Sequence, residues 1–114
     1  MNPGDLATVY FPFSSSEPQP FKKRPVLVLT ATGTPPDQAI FCAMVTSNAR
    51  RFAHPAAGDV AISEWQSAGL LAPSVVRTRR IWTAEQRDFT GKVLGQVNPA
   101  TLDVVRQEIR DLLT

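Results

Sequence analysis

Residues 22–29 read KKRPVLVL, three consecutive cations, a proline and then four apolar residues without a break. A strand with one wet face alternates polar and apolar residues, whereas an unbroken apolar run of this length opened by proline marks a strand covered on both faces. Val26–Thr30 is therefore predicted as a buried strand, and AIFCAMV, Ala39–Val45, reads as a second of the same kind. Proline restricts the residue before it to extended backbone, so Arg24 is expected to project from the strand entrance. Its charge is open to two readings: a solvated loop edge, or an anion site built on a rigid strand.

Outward from this pair the chain reads as more short strands. Pro3-Gly4-Asp5 is a turn signal, and LATVYF, Leu6–Phe11, is rich in β-branched and aromatic residues and is closed by Pro12. Ser14–Lys23 is predicted as a polar loop, and ATGTPPDQ as a turn-rich connector. Ala49–Gly58, with Arg50, Arg51, His54 and Pro55, reads as a further loop, followed by a short strand around Asp59–Ile62 and a polar stretch stopped by Gly69. Pro73–Thr78 is β-branched and continues or bends into Ile81-Trp82. TGKVLGQV, Thr90–Val97, is a last strand, with glycines where the backbone must bend or meet a neighbour. At the end Asn98 can cap a helix and Pro99 suits its first position, while Leu102, Val105, Ile109 and Leu112 recur on one face. Five or six short strands before one amphipathic helix predict a mainly β, α+β fold: a small, strongly bent sheet or barrel with the helix packed on it.

A chain of 114 residues with 43% hydrophobic content corresponds to one domain, 1–114, with a modest core that oligomerisation would help stabilise. The formal charge of +2 permits nucleic acid as a partner without demanding it. Cys42, the only cysteine, lies in an apolar run and reads as a small buried hydrophobe, so a reducing cytoplasm is expected. The start lacks the basic and apolar regions of a signal peptide, and no apolar run approaches the roughly 18 residues that span a bilayer. One histidine and one cysteine, without paired carboxylates at ligand spacing, do not make a zinc site within one chain, and no cofactor is expected. Neither a phosphate-binding GxxxxGK[ST] loop nor a dinucleotide GxGxxG is present. His54, the one available imidazole base, sits in a loop, where an ordinary loop role competes with catalysis.

What remains is cationic, in three groups near strand termini. The first is Lys22, Lys23 and Arg24. The second is Arg50 and Arg51, directly after MVTSN, where Thr46 and Ser47 either place two hydroxyls at a strand end or form a turn that satisfies its own backbone. The third is VVRTRRIW, where regular alternation would put Arg77 and Arg79 on one face, with Arg80 and Trp82 adjacent. Single-stranded nucleic acid uses such a pairing of cation and aromatic, although Trp82 also reads as core. The three groups converge if the strands close one small barrel.

PGDLATVYFPF, KKRPVLVLT, FCAMVTSN, SVVRTRRIWT and the final IRDLL together resemble, in order and over nearly the whole chain, the MazF/PemK toxins of type II toxin–antitoxin systems. The resemblance implies an SH3-like barrel with a terminal helix, a homodimer, and a metal-independent endoribonuclease that cuts single-stranded RNA, usually mRNA, and so inhibits translation and growth. It also implies a cognate antitoxin whose tail occupies the RNA groove. The arginine of the family's RP motif falls on Arg24 and the threonine of its strand-end motif on Thr46, with Ser47 beside it, as catalytic positions. Lys22, Lys23, Arg50, Arg51, Arg77, Arg79 and Arg80 are then expected to bind RNA. SSSEPQPFKK departs from the family pattern, and no role is carried over to Glu17. The middle segment, 52–72, also departs, leaving base preference open. The competing readings are a non-catalytic barrel that binds nucleic acid and a gyrase-directed toxin of the same architecture.

Overall fold

The computed structural model describes residues 1–12 and 21–114, and of Phe11, Pro12, Phe21 and Lys22 only the backbone. Six strands, β1 (Asp5–Pro12), β2 (Phe21–Thr32), β3 (Ala39–Ser47), β4 (Asp59–Ala61), β5 (Ser74–Ala84) and β6 (Phe89–Gln96), form one antiparallel sheet in the order β4-β5-β3-β2-β1-β6. A five-residue helix α1 (Ala49–Ala53) links β3 to β4, and α2 (Pro99–Leu112) ends the chain.

The two unbroken apolar runs are inner strands with a core on either side. Leu27, Leu29, Ala43, Val45 and Val76 pack on one side, against Val105 of α2 with Leu102 and Ile109 alongside. Ala7, Val9, Val26, Val28, Ile40 and Cys42 pack on the other, with Ala84, Phe89 and the half-buried Trp82. Alternation along β2 and β3 assigns successive residues to the two cores in turn, which is why neither strand can afford a polar position along its middle.

The edge strands β4 and β6 share no ladder, yet the sheet is bent until its ends meet through the turn after β4. There the backbones of Ala68-Gly69 and Leu94-Gly95 touch. A Cβ on Gly69 would stand 2.0 Å from the Leu94 carbonyl oxygen, and one on Gly95 would stand 2.2 Å from that of Ala68. Glycine is the residue type that permits this approach, and Gly69 is also held at φ +91°. The small, strongly bent sheet with a terminal helix matches the sequence reading.

Three local expectations change. β2 begins at Phe21, five residues before Val26, so Lys22, Lys23 and Arg24 belong to the strand and the loop expected over Ser14–Lys23 is shorter at its end. Pro25 is tolerated because it pairs with Thr8 of β1, while the ladder to β3 starts only at Val26; its missing N–H faces a free edge. Ala49–Ala53 is helical where a loop was expected, since the Asn48 side chain accepts the Arg51 N–H at 3.0 Å and caps the turn. Leu112 stays 47% exposed at the end of α2, beyond the reach of the core that Val105 enters.

Candidate functional site

Strand alternation sorts the cations by face. Val26 pairs with Met44, and both lie on the face opposite α2. Arg24 and Thr46 sit two residues beyond that pair on their own strands, on the same face and at the same end of the sheet. Both residues are half-buried and occupy corresponding positions on neighbouring strands, one same-face step past the last pair of their ladder. Met44 pairs in turn with Arg77 of β5, which adds a second cation to this face, one ladder step from Thr46.

Ser47 is not brought to this face. It alternates to the α2 side, where its hydroxyl meets that of buried Ser74 at 3.1 Å, and Ser74 donates to the Ala72 carbonyl at 2.8 Å. The even spacing expected for Arg77, Arg79 and Arg80 is also interrupted. Ala43 pairs with Ile81 while its neighbour Met44 pairs with Arg77, so residues 78–80 bulge out of the ladder to β3. Thr78 turns back to bond the Gly58 carbonyl through its N–H and its hydroxyl, and the stem of Arg79 lies over Gly58. Arg80 remains exposed on the bulge.

Arg51 is committed elsewhere. Its Nε donates to Asp59 Oδ2 at 2.9 Å and its Nη2 to Oδ1 at 3.0 Å, a two-pronged pair in which the Asp59 side chain is only 2% exposed. Asp59 also accepts the Ala56 N–H at 3.0 Å. It was not singled out in the sequence because eight residues and a Pro/Gly turn separate it from Arg51, outside any periodic pattern. Arg50, one position earlier, is exposed. Asp59 stands directly across from Arg77 in the β4–β5 ladder. Burial lowers the Arg77 pKa, and the charges of Arg51 and Arg80 lower it further against the opposing pull of Asp59. A guanidinium under such pressure stays protonated and gains from any anion that arrives.

Lys23 is exposed and carries its ammonium 5.8 Å from the ring centre of Tyr10, its partner on β1. His54 closes α1, its N–H donating to the Arg50 carbonyl at 2.8 Å. The Lys22 side chain and Glu17 lie outside the described residues. Among the described residues no group of three or more His, Cys, Asp and Glu side chains is arranged to hold a metal ion. No helix among them is long and apolar enough to cross a membrane.

Several solved structures share this architecture. A MazE–MazF complex from Deinococcus radiodurans superposes with a TM-score of 0.73 at 21% identity, covering 99% of this chain and 95% of that one. An endoribonuclease in complex with its cognate antitoxin from a mycobacterial species gives 0.67 at 17% identity, covering 99% and 94%. The Mycobacterium tuberculosis toxin MazF-mt6 gives 0.66 at 22%, covering 94% and 95%. At such identities the likeness establishes the fold. Comparison with curated proteins gives no match. Residues 2–113 match the family model for the PemK-like, MazF-like toxin of type II toxin–antitoxin systems. With that match over almost its whole length, the chain belongs to the MazF/PemK toxin family.

Proposed function

We propose that this toxin is an endoribonuclease that cleaves single-stranded RNA without a metal ion and so inhibits translation and growth. The observation that carries the reading is the placement of Arg24 and Thr46 on adjacent strands, on one face and toward one end of the sheet, with Arg77 one step away. In the proposed reaction the substrate's own 2′-hydroxyl attacks the adjacent phosphorus and the bond to the 5′-oxygen breaks, giving a 2′,3′-cyclic phosphate and a 5′-hydroxyl. Charge gathers on the phosphoryl oxygens as this happens. Arg24, on a strand buried along its middle, offers two parallel N–H donors where that charge develops, and the Thr46 hydroxyl donates a third. Arginine does not give up its proton at neutral pH, so Arg24 stabilises charge and is no base. Arg77, Arg80 and Arg50 would hold flanking phosphates, whereas Lys23, paired with Tyr10, alternates to the opposite face of β2 from Arg24. Ser47, turned to the opposite face, is given no part in the reaction. The family relationship further supports a cytoplasmic homodimer and a cognate antitoxin that competes for the cationic face.

The test is purified protein with single-stranded RNA in excess EDTA. Cleavage to cyclic-phosphate ends is expected. Arg24→Ala is expected to slow cleavage by about a hundredfold or more with an unchanged melting curve, and Thr46→Ser to be milder than Thr46→Ala. A wild-type rate in Arg24→Ala would remove the assignment. RNA bound but intact would make the protein a binding module, and intact RNA with capture of gyrase would make it a gyrase-directed toxin. Sedimentation at twice 12.5 kDa is the expected result for the homodimer.

A further inference from the structure

Arg77 faces two neighbours on its own side of the sheet, Met44 on β3 and Asp59 on β4. Residues directly opposite in an antiparallel ladder have Cβ atoms about 5 Å apart, within easy reach of an ion pair. Asp59 is nevertheless bonded through both oxygens to Arg51, from α1, and through Oδ2 to the Ala56 N–H as well. The carboxylate best placed to neutralise Arg77 is thus taken by another cation. Among the described residues the ion pairs are Arg51–Asp59 and Arg87–Glu85, so Arg77, one ladder step from Thr46, is in no ion pair, and Arg80 is exposed on the bulge.

We infer that Arg51 is a positioning residue: by holding both oxygens of Asp59 it prevents that carboxylate from pairing with Arg77, and so keeps Arg77 available for a phosphate of the RNA strand. The inference rests on the proposed nuclease reading for its ligand, and it replaces the expectation that Arg51 itself contacts RNA. Its consequence has an unusual sign. Loss of Arg51 should silence Arg77 as well, and a second change that removes the Asp59 charge should restore it.

The experiment compares wild type, Arg51→Met, Asp59→Asn and Arg51→Met/Asp59→Asn. Each is titrated with salt while binding a single-stranded RNA oligonucleotide that is 2′-O-methylated throughout and cannot be cleaved. Each phosphate contact adds about 0.7 to the slope of log affinity against log salt for a single strand. Arg51→Met is expected to bind more weakly with a slope shallower by about that amount, and the double variant to return to the wild-type slope. A wild-type slope in Arg51→Met, or a double variant as shallow as the single one, would overturn the inference; the latter result would mean that Arg51 touches RNA. Removing one partner of a buried pair can unfold a protein. Should Arg51→Met not fold, the double variant, which leaves no buried carboxylate unpaired, still separates the two outcomes. The rate at which phenylglyoxal modifies Arg77, read by mass spectrometry, needs no RNA. It is expected to fall in Arg51→Met and recover in the double variant. Failure of wild type to bind RNA, with this reactivity pattern intact, would count against the nuclease reading alone.

Discussion

Arg50 and Arg51 are adjacent in sequence and identical in chemistry, yet they end in different roles because a helical turn points one to solvent and the other to Asp59. Nothing in the local sequence distinguishes them; the ladder position of Asp59 does. For Arg24 the sequence foretold extended backbone before Pro25, but it took the pairing with β1 to show the strand already running through it from Phe21. Cys42 was legible. It lies in the second core with no exposed surface, and burial pushes its thiol from 9.0 up to about 12. We predict that it does not react with a thiol reagent at neutral pH until the protein is denatured, a comparison that absorbance with and without denaturant makes directly. The same shift has a sign for stability. Above pH 9 the unfolded chain releases this proton while the native one keeps it, so stability falls between about pH 9 and about pH 12. Cys42→Ala should flatten that part of the pH profile in denaturant melts.

The elements carry two features that periodicity alone does not encode. The bulge in β5 spares three residues from the ladder, which frees Thr78 to tie down Gly58 and leaves Arg80 exposed. A stretch such as VVRTRRIW reads as continuous strand because its β-branched residues suit one, and where the partner strand will slip is set by the partner. The start of α2 is the second case. Asn98 was readable as its cap and does accept the Thr101 N–H at 2.8 Å. Glu64, 34 residues earlier, adds a remote brace by accepting the Asn98 N–H at 2.9 Å and the Thr101 hydroxyl at 2.8 Å. Burial pushes the Glu64 carboxyl up, but its hydrogen bonds from the Asn98, Glu64 and Thr101 groups outweigh this and lower its pKa. A depressed folded pKa means stability present above the unfolded value of 4.5 and lost as pH falls through the folded one. Glu64→Ala is expected to cost about 1 kcal/mol at neutral pH, with a smaller difference from wild type at pH 3. Equal losses at both pH values would show that the carboxylate charge is not what braces α2.

For the whole molecule, the bent sheet stays open, and its ends approach through backbone contact at Gly69 and Gly95. Introducing a methyl group at either seam position should be costly, because the atom it meets is a backbone carbonyl that cannot rotate away. Gly95→Ala is expected to cost about 3 kcal/mol or more, by analogy with overpacked cores, and to lower the melting temperature by roughly 10 °C or more. Gly91→Ala meets nothing within 4 Å and carries only the strain of its φ of +88°, so it serves as the milder control. Equal melting of the two variants would dismiss the seam as a determinant of stability. What the sequence by itself determined is local: which runs are buried on both faces, that Pro25 fixes the backbone before it, that Asn98 starts a helix, and that the motifs belong to one toxin family. Those follow from side-chain period, backbone restriction and composition, which act over a few residues. What only the tertiary structure decided is which charges meet. Ladder register put Arg24, Thr46 and Arg77 on one face, turned Ser47 to the other, and set Asp59 between Arg51 and Arg77. Register is a relation between strands, and a one-residue slip reverses every side chain, so it exists only once the strands have paired.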